Sequence, residues 1–275
     1  MVGAIRTLSA IAAQTYNGGM AVPENSEDIH DVEVGLDGQI ALPVLTPGDG
    51  YDLAARFYDN WKWQRIWRAV EWPHIDGLLE EIDERSGGLS TILDVGVGTG
   101  AYLQHAASKF ELSACYGIDV SRRMLDVAER KLSGRASLAL GDARNLQFPD
   151  SKLDAVLMCR VASHLQDCNP ALSEIRRVLR CGGFLILSDI DPRHPYRHTR
   201  IPCGKRKISI ATFKHSIEKW ITVLEEYGFQ LQFCREFLSD ELVSFLHDGH
   251  ELPSSLSANP PHPVSFMLCA QKYTC

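Results

Sequence analysis

The stretch "ILDVGVGTGAYL", Ile92 to Leu103, runs from an apolar strand straight into a glycine-rich turn. Gly96, Gly98 and Gly100 alternate with Val97 and Thr99, and Ala101 opens a segment of helical character. Glycine at this spacing lets backbone pass close to a ligand where a Cβ would clash. The spacing fits more than one nucleotide-cofactor template, so the loop by itself leaves the ligand open.

Outward from the loop, strands and helices alternate. Thr91–Val95 predicts a strand, Ala101–Lys109 a helix, Ala114–Asp119 a strand and Arg122–Leu132 a helix. Short strands follow at Ala136–Leu140 and Asp154–Cys159. A helix over Pro170–Arg180 is expected to stop at the glycines of "CGG", and "FLILSDI" is the next buried strand. A helix between Thr212 and Tyr227, a strand near Phe229–Phe237 and a last strand from Pro263 complete the series. Such alternation predicts an α/β fold with a doubly wound, mostly parallel, Rossmann-like sheet. The inserted stretch at about 191–212 holds a Cys-Gly turn between two strand-like runs, so a hairpin over the sheet's ligand edge is expected.

Residues 51–82 are aromatic and helical, and read as an N-terminal helical cap ahead of the core at 83–275. Tyr51, Ala54 and Tyr58 fall on one helical face with Trp61 following, either a core-facing stripe or a lid over the ligand. Residues 1–50 lack sustained periodicity and end in the linker-like "LPVLTPGDGYD". They read as a flexible arm, disordered or ordered only against a partner subunit, through which the chain would form a homo-oligomer.

The 275 residues are 45% hydrophobic and 23% charged, as in an ordinary soluble globular protein. A net charge of −7 opposes nonspecific binding to nucleic-acid backbones and anionic membrane surfaces. Eight scattered cysteines without a C-x-x-C pair point to a reducing, cytoplasmic setting and to neither a zinc site nor a disulfide framework. No apolar run reaches membrane-spanning length. The apolar patch in "MVGAIRTLSAIAAQTY" is broken by Thr7, Ser9 and Gln14, so no targeting peptide is expected.

In open α/β sheets ligands bind beyond the carboxyl ends of the strands, so the residues there discriminate between templates. Asp119 closes "YGID" roughly twenty residues past the glycines, where a carboxylate can hold ribose hydroxyls of either a dinucleotide or S-adenosylmethionine. Asp94, two residues before Gly96, would repel a pyrophosphate but suit the ammonium of a methionine moiety. "LGDARNLQFPD" offers Asp142 and the Ala143 backbone to an adenine edge.

In "LDVGVGTG", "GIDVSRRML", "GDARNLQFPD" and "RRVLRCGGFLILSD", in that order, the sequence resembles the class I S-adenosylmethionine-dependent methyltransferases. The resemblance covers about Tyr51 to Lys272. It implies a seven-stranded sheet with an antiparallel last strand, matching "PVSFMLCAQ", and S-adenosyl-L-methionine as cofactor. Gly96, Gly98 and Gly100 would face the homocysteine part and Asp119 the ribose. Val120 and Met124 would flank adenine, Asp142 would bond its amino group, and Arg160 joins the cofactor-binding set. The implied activity is methyl transfer to an N, O or C nucleophile of a small molecule, in specialised metabolism. A protein of the same fold that binds the cofactor without transferring methyl is the alternative, and an NAD-dependent oxidoreductase is a more distant one.

Methyl transfer needs alignment and exclusion of water, and a base only where the acceptor must lose a proton. His164, in "CRVASHLQD" after the fourth core strand, is the candidate base, or else a histidine that caps a helix or packs under the cofactor. His215, in "FKHSIEKW", lies beside the acceptor pocket in related enzymes, or caps the next helix together with Ser216. Tyr58, Trp61 and Trp63 are candidates for closing the pocket over a sulfonium, and Arg65 or Arg68 for the cofactor carboxylate. His194 and His198 have an i,i+4 spacing, but Pro195 breaks the helix a metal pair would need, so no metal is expected. "NPPH", Asn259–His262, imitates a nucleobase-methylating signature that belongs after the fourth strand, where this chain reads "CRVASH". Together with the acidic charge this argues against nucleic acid as acceptor.

Overall fold

The computed structural model describes residues 44–194, 198–204, 206–244 and 260–273. Most of the expected arm, residues 1–43, therefore lies outside the described residues, as do Pro195 and Asn259. Residues 44–50, expected in the arm, instead form strand β1 (Val44–Leu45) and the first turn of helix α1 (Pro47–Tyr58). Thr46 caps α1 by accepting the Asp49 N–H, and Pro47 sits at a position where a missing N–H costs nothing. Helix α2 (Lys62–Ser86) follows after a break at Asp59–Trp61 and ends at left-handed Gly87.

The core alternates as its apolar runs require: β2 (Thr91–Val95), α3 (Ala101–Lys109), β3 (Ala114–Asp119), α4 (Arg122–Leu132), β4 (Ser137–Leu140) and β5 (Leu153–Cys159). Then come α5 (Asn169–Val178), β6 (Leu179–Ile190), β7 (Thr199–Cys203), β8 (Arg206–Ile210), α6 (Ile217–Glu226), β9 (Phe229–Leu238), α7 (Ser239–Ser244) and β10 (Pro263–Lys272). The seven-stranded sheet has the order β4-β3-β2-β5-β6-β10-β9, with β10 antiparallel to both neighbours and the β4-to-β6 ladders parallel. Alternate strand residues feed two cores. Ile92, Leu157 and Ile186 pack with α2, α3 and α4, whereas Leu93, Val156 and Leu187 pack with α5 and α6. Strands buried on both faces explain why their sequences read as continuous apolar runs.

The end of α5, the start of β6 and the start of α6 differ from expectation by more than one residue. Helix α5 stops at Val178, because "CGG" belongs to β6 rather than capping the helix. Gly182 is left-handed (φ 77°) where the register of β6 on β5 shifts, and a Cβ on Gly183 would come within 3.1 Å of the Asp154 carbonyl oxygen. Helix α6 starts at Ile217 because Ser216 accepts the Lys219 N–H at 3.1 Å and so fixes the first turn.

The insertion forms an antiparallel hairpin of β7 and β8, and β1 adds to β8 in parallel. This small sheet has its own core, Ala54 of α1 with Ile201, Ile208 and Ile210. Gly50 permits the contact, since a Cβ there would lie 2.5 Å from Ile210 Cγ1. The stretch read as one helical cap thus divides: α1 packs with the hairpin, while Ile66, Trp67, Val70 and Leu79 of α2 join the main core.

Cys115, Cys159, Cys168, Cys203, Cys234 and Cys269 are free thiols, whereas Cys181 is disulfide-bonded, a pairing the scattered spacing did not foresee. Among the described residues no helix is long and apolar enough to cross a membrane.

Candidate functional site

The glycine turn is tied to β3 by Gly96 and Val97, whose N–H groups donate to the Ile118 carbonyl at 2.8 and 2.9 Å. Gly96 (φ 71°) has no room for a side chain, because a Cβ would meet Val161 Cγ2 at 2.3 Å. Gly98 (φ 54°) donates its N–H to Asp119 Oδ2 at 2.8 Å, and Ser121 donates to Oδ1 at 2.8 Å. Burial raises the Asp119 pKa while these N–H groups oppose the rise. Each oxygen therefore keeps acceptor capacity toward a ligand. Gly100 (φ 80°) serves packing instead: it caps α3, and a Cβ would sit 3.1–3.2 Å from Leu132 and Ala128 on α4.

Beyond the strand ends lies a cavity of about 600 Å³. Gly96, Gly98, Asp119, Val120 and Met124 line it, together with Asp142, Ala143 and Arg160. Tyr58 and His164 also reach it, whereas Gly100, Asp94, His215, Trp61 and Trp63 are not among its lining residues. Asp142 is held by Arg144, whose Nε and Nη2 donate to the carboxylate at 2.9 and 2.6 Å and keep its pKa low.

Asp94 is buried beneath the loop. One of its oxygens has no hydrogen-bond partner, and burial, reinforced by Asp119, pushes its pKa up to about 8. Arg68 pairs with Asp59 at 2.9 Å, and Trp63 stacks on Trp67 with centroids 4.7 Å apart. His215 does not line the cavity, but its Nε2 lies 2.6 Å from the carbonyl of Leu165, which does, and Ser216 is the helix cap.

His164 sits in a short turn of 3-10 helix after β5, with Nδ1 2.8 Å from the Ala211 carbonyl and Nε2 2.8 Å from the Tyr51 hydroxyl. Burial lowers its pKa, while the Ala211 carbonyl and Asp189 act the other way. Sequence reasoning put Tyr51 in a stripe but not beside His164. Arg160 also has a setting no local pattern revealed. It is left-handed (φ 64°), ion-paired with fully buried Glu71, and its guanidinium lies 3.7 Å from the Trp67 ring centroid. Glu71 further accepts from Tyr102 and, at 3.2 Å, from Ser188. A lone carboxylate on the apolar face of "WRAVEWPHI" was the available signal, since such a group needs a buried partner.

Residues 93–187 match the family described as the methyltransferase domain. Those residues form a methyltransferase domain of the class I S-adenosylmethionine-dependent type. Ajmaline N-methyltransferase of Rauvolfia serpentina is 29% identical over 146 residues, covering 50% of this chain and 48% of that one. Demethylmenaquinone methyltransferase of Thermotoga maritima is 32% identical over 155 residues, 54% of this chain and 60% of its relative. The chain spans only 33% to 48% of the length of the first curated relatives it matches. The crystal structure of the 4+2 cyclase SpnF shares the fold, with a TM-score of 0.57 and 22% identity over 85% of this chain and 99% of that one.

The residues present fit the family's cofactor. Asp94 lies outside the lining of the cavity, but its buried, unpartnered oxygen is one that an ammonium would satisfy and a pyrophosphate would not. Left-handed Gly96 and Gly98 line the cavity, where Asp119 would hold vicinal hydroxyls and Val120 and Met124 would flank a base. When bound, S-adenosylmethionine supplies a methyl group on a positively charged sulfur, already a strong electrophile.

Proposed function

We propose that this protein transfers the methyl group of S-adenosylmethionine to a nucleophilic N, O or C atom of a small molecule in specialised metabolism. The observation that carries the reading is the convergence of Gly96, Asp119 and Asp142 with Tyr51, Tyr58 and His164 around one cavity. The cofactor residues hold one partner, and the titratable side chains face the space left for the other. Several relatives named as methyltransferases of small molecules, ajmaline among them, support it.

A second reading, binding of the cofactor without transfer, is favoured by the likeness in fold to a cyclase. Turnover separates the two. Protein incubated with methyl-labelled S-adenosylmethionine and a fractionated metabolite extract is expected to put label into an organic-soluble product and to accumulate S-adenosylhomocysteine. Tight cofactor binding with neither product would favour the second reading. The acidic charge supports an acceptor other than nucleic acid, and a cytoplasmic location is part of the proposal, supported by six free thiols among the described residues and opposed by the disulfide at Cys181. Assembly through residues 1–50 remains part of the proposal, and a sedimentation comparison with a chain starting at Val44 tests it.

A further inference from the structure

The geometry points to Tyr51 as the residue that takes the acceptor's proton while passing its own to His164, which makes this a site for a hydroxyl acceptor. The inference rests on the methyl-transfer reading above. A carbonyl only accepts, so the 2.8 Å contact with Ala211 puts the ring hydrogen of His164 on Nδ1. In the neutral ring Nε2 then holds a lone pair and nothing to donate. The Tyr51 hydroxyl at 2.8 Å must be the donor in that contact.

This arrangement has a consequence for His164 as a base. Its one basic atom is covered by the phenol, so an acceptor meets the Tyr51 oxygen first. Both residues line the cavity, and Tyr58 holds the Tyr51 ring edge-on at 5.7 Å. Tyr51 is no base by itself: burial raises its pKa, as do Tyr58, Asp189 and Asp119, with only Arg160 opposing. It stays a neutral phenol and can work only by handing one proton on as it receives another. His164 is neutral at physiological pH because burial lowers its pKa, and Asp189 of β6 favours the charge it acquires.

The step balances. The acceptor oxygen bonds to the methyl carbon, and the carbon–sulfur bond breaks with its electron pair left on sulfur. The hydroxyl proton moves to Tyr51 Oη as the Tyr51 proton moves to His164 Nε2, which regenerates the phenol. The positive charge lost from sulfur ends on the imidazolium, which later releases the proton to solvent. A neutral amine attacks with its hydrogens in place and has no use for this relay. A hydroxyl gains nucleophilicity by losing its proton as it attacks. Leu165, Pro170 and Phe213 add apolar surface to the wall, which suits an aromatic skeleton.

The test uses the full chain with methyl-labelled S-adenosylmethionine, offering 2-naphthol, 4-phenylphenol and 7-hydroxycoumarin beside amines of the same skeletons. The hydroxyls are expected to be methylated in preference to the amines. Tyr51→Phe and His164→Gln should each lower kcat about 10²–10⁴-fold, with acceptor KM and S-adenosylhomocysteine affinity little changed. The double variant should be no slower than the worse single one. The wild-type kcat/KM should fall on the acid side with the lowered His164 pKa, and that limb should vanish in His164→Gln. Imidazole nitrogen NMR gives a reading independent of turnover: Nδ1 protonated, and Nε2 shifting when Tyr51→Phe removes its donor.

A wild-type rate in Tyr51→Phe beside a slow His164→Gln would overturn the relay in favour of direct attack on the proton by histidine. Preference for the amines, or methylation of no hydroxyl by protein that binds S-adenosylhomocysteine, would overturn it while leaving methyl transfer to other acceptors standing. Failure to bind S-adenosylhomocysteine would remove both readings.

Discussion

Asp94 carries the clearest pH signature of any single residue described. Its carboxyl is held at about 8 by burial, with Asp119 adding to the rise and the Leu103 N–H opposing it. A folded pKa above the ordinary 3.8 means that the native state binds a proton the unfolded chain has released. Asp94 therefore costs no stability below about pH 4, and costs progressively more as the pH rises toward 8. Asp94→Asn is expected to flatten the decline of Tm between those limits, so that variant and wild type diverge most at the alkaline end. Parallel Tm curves across that window would show that Asp94 ionises normally. His164 and Tyr51 are the other residue-scale lesson. The histidine's place after a strand was readable along the chain, but its partner is 113 positions away.

Helix α1 packs on the hairpin rather than on the main sheet, and side-chain hydrogen bonds tie it to the core. Asp52 accepts from Ser121 Oγ at 2.6 Å and from the Arg123 N–H at 3.0 Å, capping α4 from outside. Asp59 accepts from Thr99 at 2.7 Å, Lys131 at 2.8 Å and Arg68 at 2.9 Å, which ties the end of α1 to the glycine turn. An amide cap contributes about 0.5–2 kcal/mol and half-exposed ion pairs about 1 kcal/mol or less, so α1 is weakly fastened. Asp52→Ala combined with Asp59→Ala is expected to speed amide hydrogen exchange in α1, β7 and β8 while β2, β3 and β5 keep wild-type protection. Uniform acceleration across the sheet would mean that these contacts support the whole fold. The central strands were readable as apolar runs, and the helices as apolar residues recurring at helical spacing among polar ones. The end of α5 was not, because "CGG" looks like a helix stop until β6 is seen paired to β5.

For the whole molecule, the candidate cofactor residues come from the ends of β2, β3 and β5 and from the segment after β4, so a ligand there would join separate parts of the native state. A ligand bound only by the folded chain stabilises it by about 2.7 kcal/mol at a hundred times its Kd. S-adenosylhomocysteine is expected to raise Tm in that graded way, and NAD to leave it unchanged. Asp119→Ala should weaken the S-adenosylhomocysteine affinity by about 1–3 kcal/mol, the usual scale for a charged hydrogen-bond partner. A Tm response to NAD in place of S-adenosylhomocysteine would mean that the glycine loop serves a dinucleotide.

What the amino-acid order determined alone is everything that depends on neighbours in the chain. Periodicity set the strands and helices, the glycines at 96, 98 and 100 set a turn that side chains cannot make, and Asp119 followed at the end of the next strand. These are local effects of sterics and burial, and they imply the doubly wound sheet through the short connections that join them. Tertiary structure alone decided which side chains meet. It divided one glycine motif into two residues that line the cavity and a third, Gly100, that packs α3 on α4. It set Glu71 under Arg160, and it covered the His164 nitrogen with Tyr51. Hydrogen bonds and ion pairs of this kind act through space over a few ångströms and carry no periodicity along the chain, so only the folded sheet brings their partners together.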